Sequence, residues 1–239
     1  MPSLQLSVFD LDDTGRKYVS VDLSERDSIM GASNLGLAAS GLADVVFTPL
    51  FYYAGDHIFS EKKKARLFTI IRHPVDRAIS EFYTFTQTAA EMSLRTMTLQ
   101  EFVKSSYYLG NWWTGMVAGM WDKPGPGNQH LQLAKELLRT KYLIGLEEDI
   151  DGSMKLFEDY FFWNGQTPEV KACKKNIRKT EFARDFAVYH AVGHRVKEGS
   201  ELYLSIIEQN QLDMELYWYS VELHRAQRAW IPTQPLDQV

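Results

Sequence analysis

Leu67-Phe-Thr-Ile-Ile71 is a run of apolar and β-branched residues that passes directly into Arg72-His-Pro74 and then into the helical pattern Val75-Asp-Arg-Ala-Ile-Ser-Glu-Phe-Tyr83. It reads as a strand buried on both faces, a turn, and a helix opened by Pro74, where a missing N–H costs nothing. A buried strand feeding straight into a helix needs a parallel partner, so the chain is constrained to an α/β sheet. Arg72 then stands at the carboxyl end of a strand, the edge at which open parallel sheets bind ligands. Ser80, on the following helix, is within reach of the same crevice.

The rest of the chain supplies further elements. Tyr18 to Leu23, Ala43 to Phe47 and Tyr142 to Leu146 read as strands. Thr98-Leu-Gln-Glu101 is a capping box that opens a helix. Asn128 to Thr140, Gly152 to Phe161 and Ser200 to Arg228 have apolar residues at helical spacing, the last interrupted near Asn210. Trp121 to Asn128, with two prolines and two glycines, is a loop. Strands separated by helices predict a parallel sheet with helices on both faces. Residues 1–17 read as an acidic N-terminal tail and 18–239 as one domain, a size ordinary for a single α/β unit.

Composition narrows the function classes. The chain has 26 Lys and Arg against 31 Asp and Glu, a net charge of −5, which gives no general attraction to nucleic acid. Any anion site must be local. The single cysteine, Cys173, excludes an internal disulfide and a zinc site built on two thiolates. No signal peptide or membrane-spanning run is visible.

Arg72 and Ser80 together suit a phosphate: a guanidinium offers a rigid fork of donors, and a hydroxyl adds one directional bond. Pairing of Arg72 with a nearby acid such as Asp76 is the plainer alternative. The stretch Arg72-His-Pro-Val-Asp-Arg-Ala-Ile-Ser-Glu-Phe-Tyr83 resembles the 3′-phosphate-binding signature of the carbohydrate sulfotransferases, Arg-(Asp/His)-Pro-x-x-Arg-x-x-Ser-x-(Tyr/Phe), at every defining position. Ser40 to Phe47, Asn111-Trp-Trp-Thr114, Leu143-Ile-Gly-Leu-Glu147 and Asn210 to Tyr217 are similar, in the same order, to segments of the family's algal-type members.

The resemblance implies a P-loop-NTPase-like sheet and transfer of a sulfuryl group from 3′-phosphoadenosine 5′-phosphosulfate (PAPS) to a carbohydrate hydroxyl, without a metal. It puts the 3′-phosphate on Arg72 and Ser80. Arg77 matches the second Arg and can also pair with Glu81 one helical turn on. The implied setting is the Golgi lumen and the implied partner a glycan, including anionic ones. The family's first β-loop-α unit, with Pro-Lys-x-Gly-(Ser/Thr)-(Ser/Thr) for the 5′-phosphosulfate, is not found ahead of the Tyr18 strand. The expectation is a chain that starts downstream of it and is inactive as it stands. Gly115 stands where these relatives lead one to expect Arg.

For the acceptor proton, His57 is the candidate base, in the stretch Phe47 to His57. Lys171, Lys174, Lys175, Arg178 and Lys179 form a basic strip that suits an anionic glycan, although charge runs ordinarily face water. Tyr107, Tyr108, Trp112, Trp113 and Trp121 suit sugar stacking or a core. Two alternatives stand beside the transferase. One is a non-catalytic nucleotide- or glycan-binding remnant. The other is a haloacid-dehalogenase-type phosphatase, whose motif resembles Asp10-Leu-Asp-Asp-Thr14 with Asp10 and Asp12 as nucleophile and acid-base. His190 and His194, four residues apart, lack the third ligand a metal site needs.

Overall fold

In the computed structural model, residues 5–10, 17–89, 92–120, 125–163, 168, 171–172 and 196–230 are described. They form a mixed α/β structure. Strands β1 (Val8–Asp10) and β2 (Lys17–Val19) pair antiparallel. Helices α1 (Arg26–Asn34), α2 (Leu37–Ser40) and α3 (Phe51–Ile58) follow. Then come β3 (Leu67–Ile71), α4 (Pro74–Thr88), α5 (Met92–Arg95), α6 (Leu99–Lys104) and α7 (Trp112–Val117). The chain continues through α8 (Asn128–Lys141), β4 (Tyr142–Leu146), α9 (Ile150–Phe161), α10 (Glu201–Gln209) and α11 (Gln211–Trp230).

β3 and β4 are parallel, in a register that sets Leu67 opposite Tyr142 and Ile71 opposite Leu146. Helices cover both faces. Leu67, Ile71, Tyr142, Ile144 and Leu146 face α8 and α11, packing with Leu131, Leu138, Leu216 and Val221. Phe68 and Leu143 face the other way, onto Leu156 and Phe157 of α9. The outer edge of β4 is closed by side chains instead of a strand. Gln227 accepts from the Ile144 N–H (2.8 Å) and donates to the Tyr142 carbonyl (2.7 Å), and His224 Nδ1 donates to the Ile144 carbonyl (2.7 Å). Ser153 Oγ accepts from the Leu146 N–H (2.7 Å) and donates to its carbonyl (3.0 Å). Buried backbone groups must be satisfied, which accounts for three polar side chains in this part of the core.

Two expectations fail in the sheet. β3, read as buried on both faces, is mostly half-buried, pairs with β4 alone among the described residues, and leaves Ile70 40% exposed. Of Tyr18 to Leu23 only Tyr18 and Val19, the end of β2, are strand, and Ala43 to Phe47 is not a strand at all. Val21, Leu23, Ala43 and Val46 instead pack against Ile29, Ala54 and Ile58 of α1 and α3. An apolar run this short is equally satisfied by packing on helices, and periodicity does not separate the two. Part of the stretch read as a tail, Val8–Asp10, is the edge strand β1.

Elsewhere the local signals hold. His73 caps α4, its Nδ1 accepting from the Val75 N–H (3.2 Å), with Pro74 next to it. The Thr98–Glu101 capping box forms, and Asn210 separates α10 from α11. No helix among the described residues is long and apolar enough to cross a membrane.

Gly145 of β4 leaves no room for a side chain against α9: a Cβ there would lie 2.8 Å from Phe157 Cζ, 3.0 Å from Ser153 Cβ and 3.2 Å from Ile70 Cγ1. Gly145→Ala should therefore destabilise the chain by about 1–3 kcal/mol, the usual cost of overpacking. A urea midpoint unchanged from wild type would mean that α9 can withdraw freely.

Candidate functional site

The two parallel strands end alike. β3 runs out at Ile71, followed by Arg72 and the cap His73. β4 runs out at Leu146, followed by Glu147, Glu148 and Asp149, whose Oδ1 caps α9 by accepting from Gly152 N–H (3.2 Å). The register continues one step past the strands, with Glu147 N–H donating to the Ile71 carbonyl (3.0 Å). This sets Arg72 beside Glu147 at the carboxyl edge of the sheet. The guanidinium grips the carboxylate with two donors, Nε to Oε2 and Nη2 to Oε1. An acid partner of Arg72 is thus 75 residues away in the chain.

Two cavities open on this edge and share Arg72, Arg77 and Trp112. One, of about 490 Å³, runs along α4 and is lined by Ser80, Glu81 and Thr84. The other, of about 430 Å³, lies over the strand ends and is lined by Ile70, Glu147, Trp113 and Tyr217. Arg72 and Ser80, eight positions apart, thus face one cavity. No partner for the Ser80 hydroxyl is found among the described residues, and its carbonyl accepts from Thr84 Oγ1 (3.1 Å).

Arg77 has a different part. It donates to Glu81 (2.6 Å), Tyr108 Oη (3.0 Å), the Leu109 carbonyl (3.1 Å) and Asn210 Oδ1 (3.1 Å), and lies over the Tyr108 and Trp112 rings. Burial raises the Glu81 carboxyl above its ordinary pKa, opposed by the Arg77 charge. Burial likewise raises the Tyr108 phenol.

Asn210 Oδ1 also accepts from Asn111 N–H (3.2 Å), and its amide donates to Tyr108 Oη (2.6 Å) and the Ile206 carbonyl (2.7 Å). Two helix starts then cap each other. Asn111 Oδ1 accepts from Leu212 N–H (2.8 Å) and Asp213 N–H (3.2 Å). Asp213 accepts from Trp113 N–H (3.0 Å), Thr114 N–H (2.7 Å) and Thr114 Oγ1 (2.7 Å). Burial pushes the Asp213 carboxyl up, with these donors pulling it back. Asn111 to Thr114 and Asn210 to Asp213, a hundred residues apart, therefore form one polar network beside Arg77. Nothing in the sequence signals their reciprocity beyond two Asn and Asp residues at helix starts.

His57 lies elsewhere. It is on α3, stacked on Tyr53 with ring centroids 4.0 Å apart and its Nδ1 3.0 Å from the Tyr53 carbonyl, and it lines neither cavity. The aromatic set divides: Tyr108 is core, whereas Trp112 is 36% exposed between the cavities and Tyr107 is exposed. Asp10 is exposed on β1. Asp12, Trp121, Cys173, Lys174, Lys175, Arg178, Lys179, His190 and His194 lie outside the described residues; Lys171 is exposed. Among the described residues no group of three His, Cys, Asp or Glu could hold a metal ion.

One segment escaped the motif reading. Lys197-Glu-Gly-Ser200 has the spacing Lys-x-Gly-Ser, but it follows the Arg72 motif in the chain instead of preceding it. Gly199 is left-handed (φ 76°) and Ser200 caps α10, accepting from Tyr203 N–H (3.2 Å). Burial lowers the His73 imidazole below its ordinary pKa, opposed by the charges of Asp76, Glu148 and Glu198. Compared with known protein families, curated proteins and solved structures, the chain matches none of them.

Proposed function

We propose that this chain carries the nucleotide-binding part of a PAPS-dependent sulfuryl-transfer site, of the carbohydrate sulfotransferase type, on a P-loop-NTPase-like sheet. The observation that carries the reading is that Arg72 and Ser80 line one cavity at the carboxyl edge of a parallel strand pair. There the guanidinium and hydroxyl can hold a 3′-phosphate, Trp112 offers a ring face between the two cavities, and Arg77 supports the wall without needing to touch the ligand. In the reaction the acceptor sugar oxygen bonds to sulfur and releases its hydroxyl proton to solvent, while the bond from sulfur to the 5′-phosphate oxygen breaks and 3′-phosphoadenosine 5′-phosphate leaves. Catalysis is then mainly positioning and charge stabilisation, as in phosphoryl transfer. The proposed acceptor is a carbohydrate hydroxyl and the proposed setting the Golgi lumen.

Calorimetry with two nucleotides tests the reading. Arg72→Ala should weaken binding of 3′-phosphoadenosine 5′-phosphate by about 1.5–3 kcal/mol, the worth of hydrogen bonds to a charged group, and Ser80→Ala should cost less. Adenosine 5′-phosphate, lacking the 3′-phosphate, should be nearly indifferent to Arg72→Ala. Equal losses for both nucleotides would mean that Arg72 acts through folding, and the assignment would fall.

A further inference from the structure

We propose that Glu147 is a built-in competitor for the Arg72 fork, which makes the site selective for a dianionic oxyanion such as a phosphate monoester over monoanions. The proposal rests on reading Arg72 as an anion-binding residue. Arg72 and Glu147 do not meet as two long side chains on a surface. The parallel register and the Glu147 N–H to Ile71 carbonyl bond deliver both to one edge, and the carboxylate takes two donors of the guanidinium. Any anion using those donors has to replace it.

Replacement is physically open. The side chains are 37% and 28% exposed, so solvent screens the ion pair and reduces the cost of parting it. Glu147 lines only the cavity over the strand ends, and Ser80 only the one along α4, with Arg72 facing both. A displaced carboxylate therefore has a cavity of about 430 Å³ to withdraw into, on the side away from Ser80.

The exchange is graded by charge and by oxygen count. A ligand carboxylate would bring one negative charge and two oxygens, the same as Glu147, which is already in place and pays no association cost. A phosphate monoester carries about −1.5 to −2 charges and three terminal acceptor oxygens. Two of these can take the donors that Glu147 held while the third accepts from Ser80 Oγ.

The test uses the whole chain with inorganic phosphate, acetate and 3′-phosphoadenosine 5′-phosphate as probes, together with the rate at which phenylglyoxal modifies Arg72, read by mass spectrometry. Glu147→Gln should tighten phosphate about tenfold, equivalent to about 1.4 kcal/mol. It should narrow the preference for phosphate over acetate and speed labelling of Arg72. Glu147→Asp, one methylene shorter but still charged, should move each readout the same way by less, and serves if the Gln variant does not fold. Phosphate binding that weakens or stays the same, with labelling unchanged, would overturn the proposal and make Glu147 a strut that aims Arg72. If the nucleotide binds no better than inorganic phosphate in every variant while labelling and phosphate respond as expected, the nucleotide reading falls and the competition stands.

Discussion

Arg77→Ala should destabilise the chain by about 3 kcal/mol or more, the scale seen when one partner of a largely buried ion pair is removed. Its side chain is 18% exposed, and its loss strips a donor from Glu81, Tyr108, the Leu109 carbonyl and Asn210 together. Asn210 is fully buried and anchors the start of α7 through Asn111 N–H, so the damage should spread to the mutual capping of α7 and α11. The deficit should also depend on pH. Glu81 already has a raised pKa from burial, and without Arg77 it is raised further, so the folded variant binds that proton more tightly than the unfolded chain. Stability of such a group falls as pH rises through the unfolded and then the folded pKa. Urea denaturation should therefore show a smaller gap from wild type at about pH 4.5, near the carboxyl range, than at about pH 7. A gap that is constant with pH would show that Glu81 is not the group left stranded. Arg72→Ala should leave the urea midpoint almost unmoved, because its pair is solvent-screened. The two arginines of one motif would then separate, one into binding and one into folding.

That separation marks how far the sequence could be read. The strand Leu67–Ile71, the Pro74 helix start, the Thr98 capping box and the break at Asn210 are local events, fixed by residues within one or two turns of each other, and all appear where the sequence puts them. The Arg77–Glu81 pair is equally local. Arg72 with Glu147 is not: only the β3–β4 register makes them neighbours, and nothing in either segment selects the other. The same holds for Asn111 with Asp213 and for Gln227, His224 and Ser153, polar side chains that close the edge of β4. On a helical pattern, Gln227 and His224 read as solvent-facing residues. The Ala43 to Phe47 stretch differs for the opposite reason: Ala43 and Val46 do pack on a core, but that core is α1 and α3, so partial burial was legible and pairing was not. Phe47 itself is 78% exposed and meets Phe68 of β3 edge-on, with ring centroids 6.1 Å apart.

In an assay of radiolabelled sulfate transfer from PAPS to desulfated glycans, the 239-residue chain should give no measurable product. As the bond from sulfur to the 5′-phosphate oxygen breaks, negative charge gathers on that leaving oxygen, and only donors aimed at it lower the barrier. Arg72 and Ser80 hold the other end of the nucleotide in the proposed mode, so they orient the donor without touching that charge. The Lys-x-Gly-Ser spacing that could supply such donors occurs once, at Lys197 to Ser200, and the structure equips it poorly. The Ser200 hydroxyl is engaged as the cap of α10, and Glu198 puts an exposed carboxylate next to Lys197 in the same four-residue stretch. Losing one donor to a developing oxyanion costs about 2.7–4 kcal/mol, or about a hundred- to a thousandfold in rate. Sulfate transfer abolished by Arg72→Ala and also by Lys197→Ala would overturn this expectation. It would mean that the turn before α10 reorganises around the 5′-phosphosulfate, and that Glu198 swings away when the donor arrives.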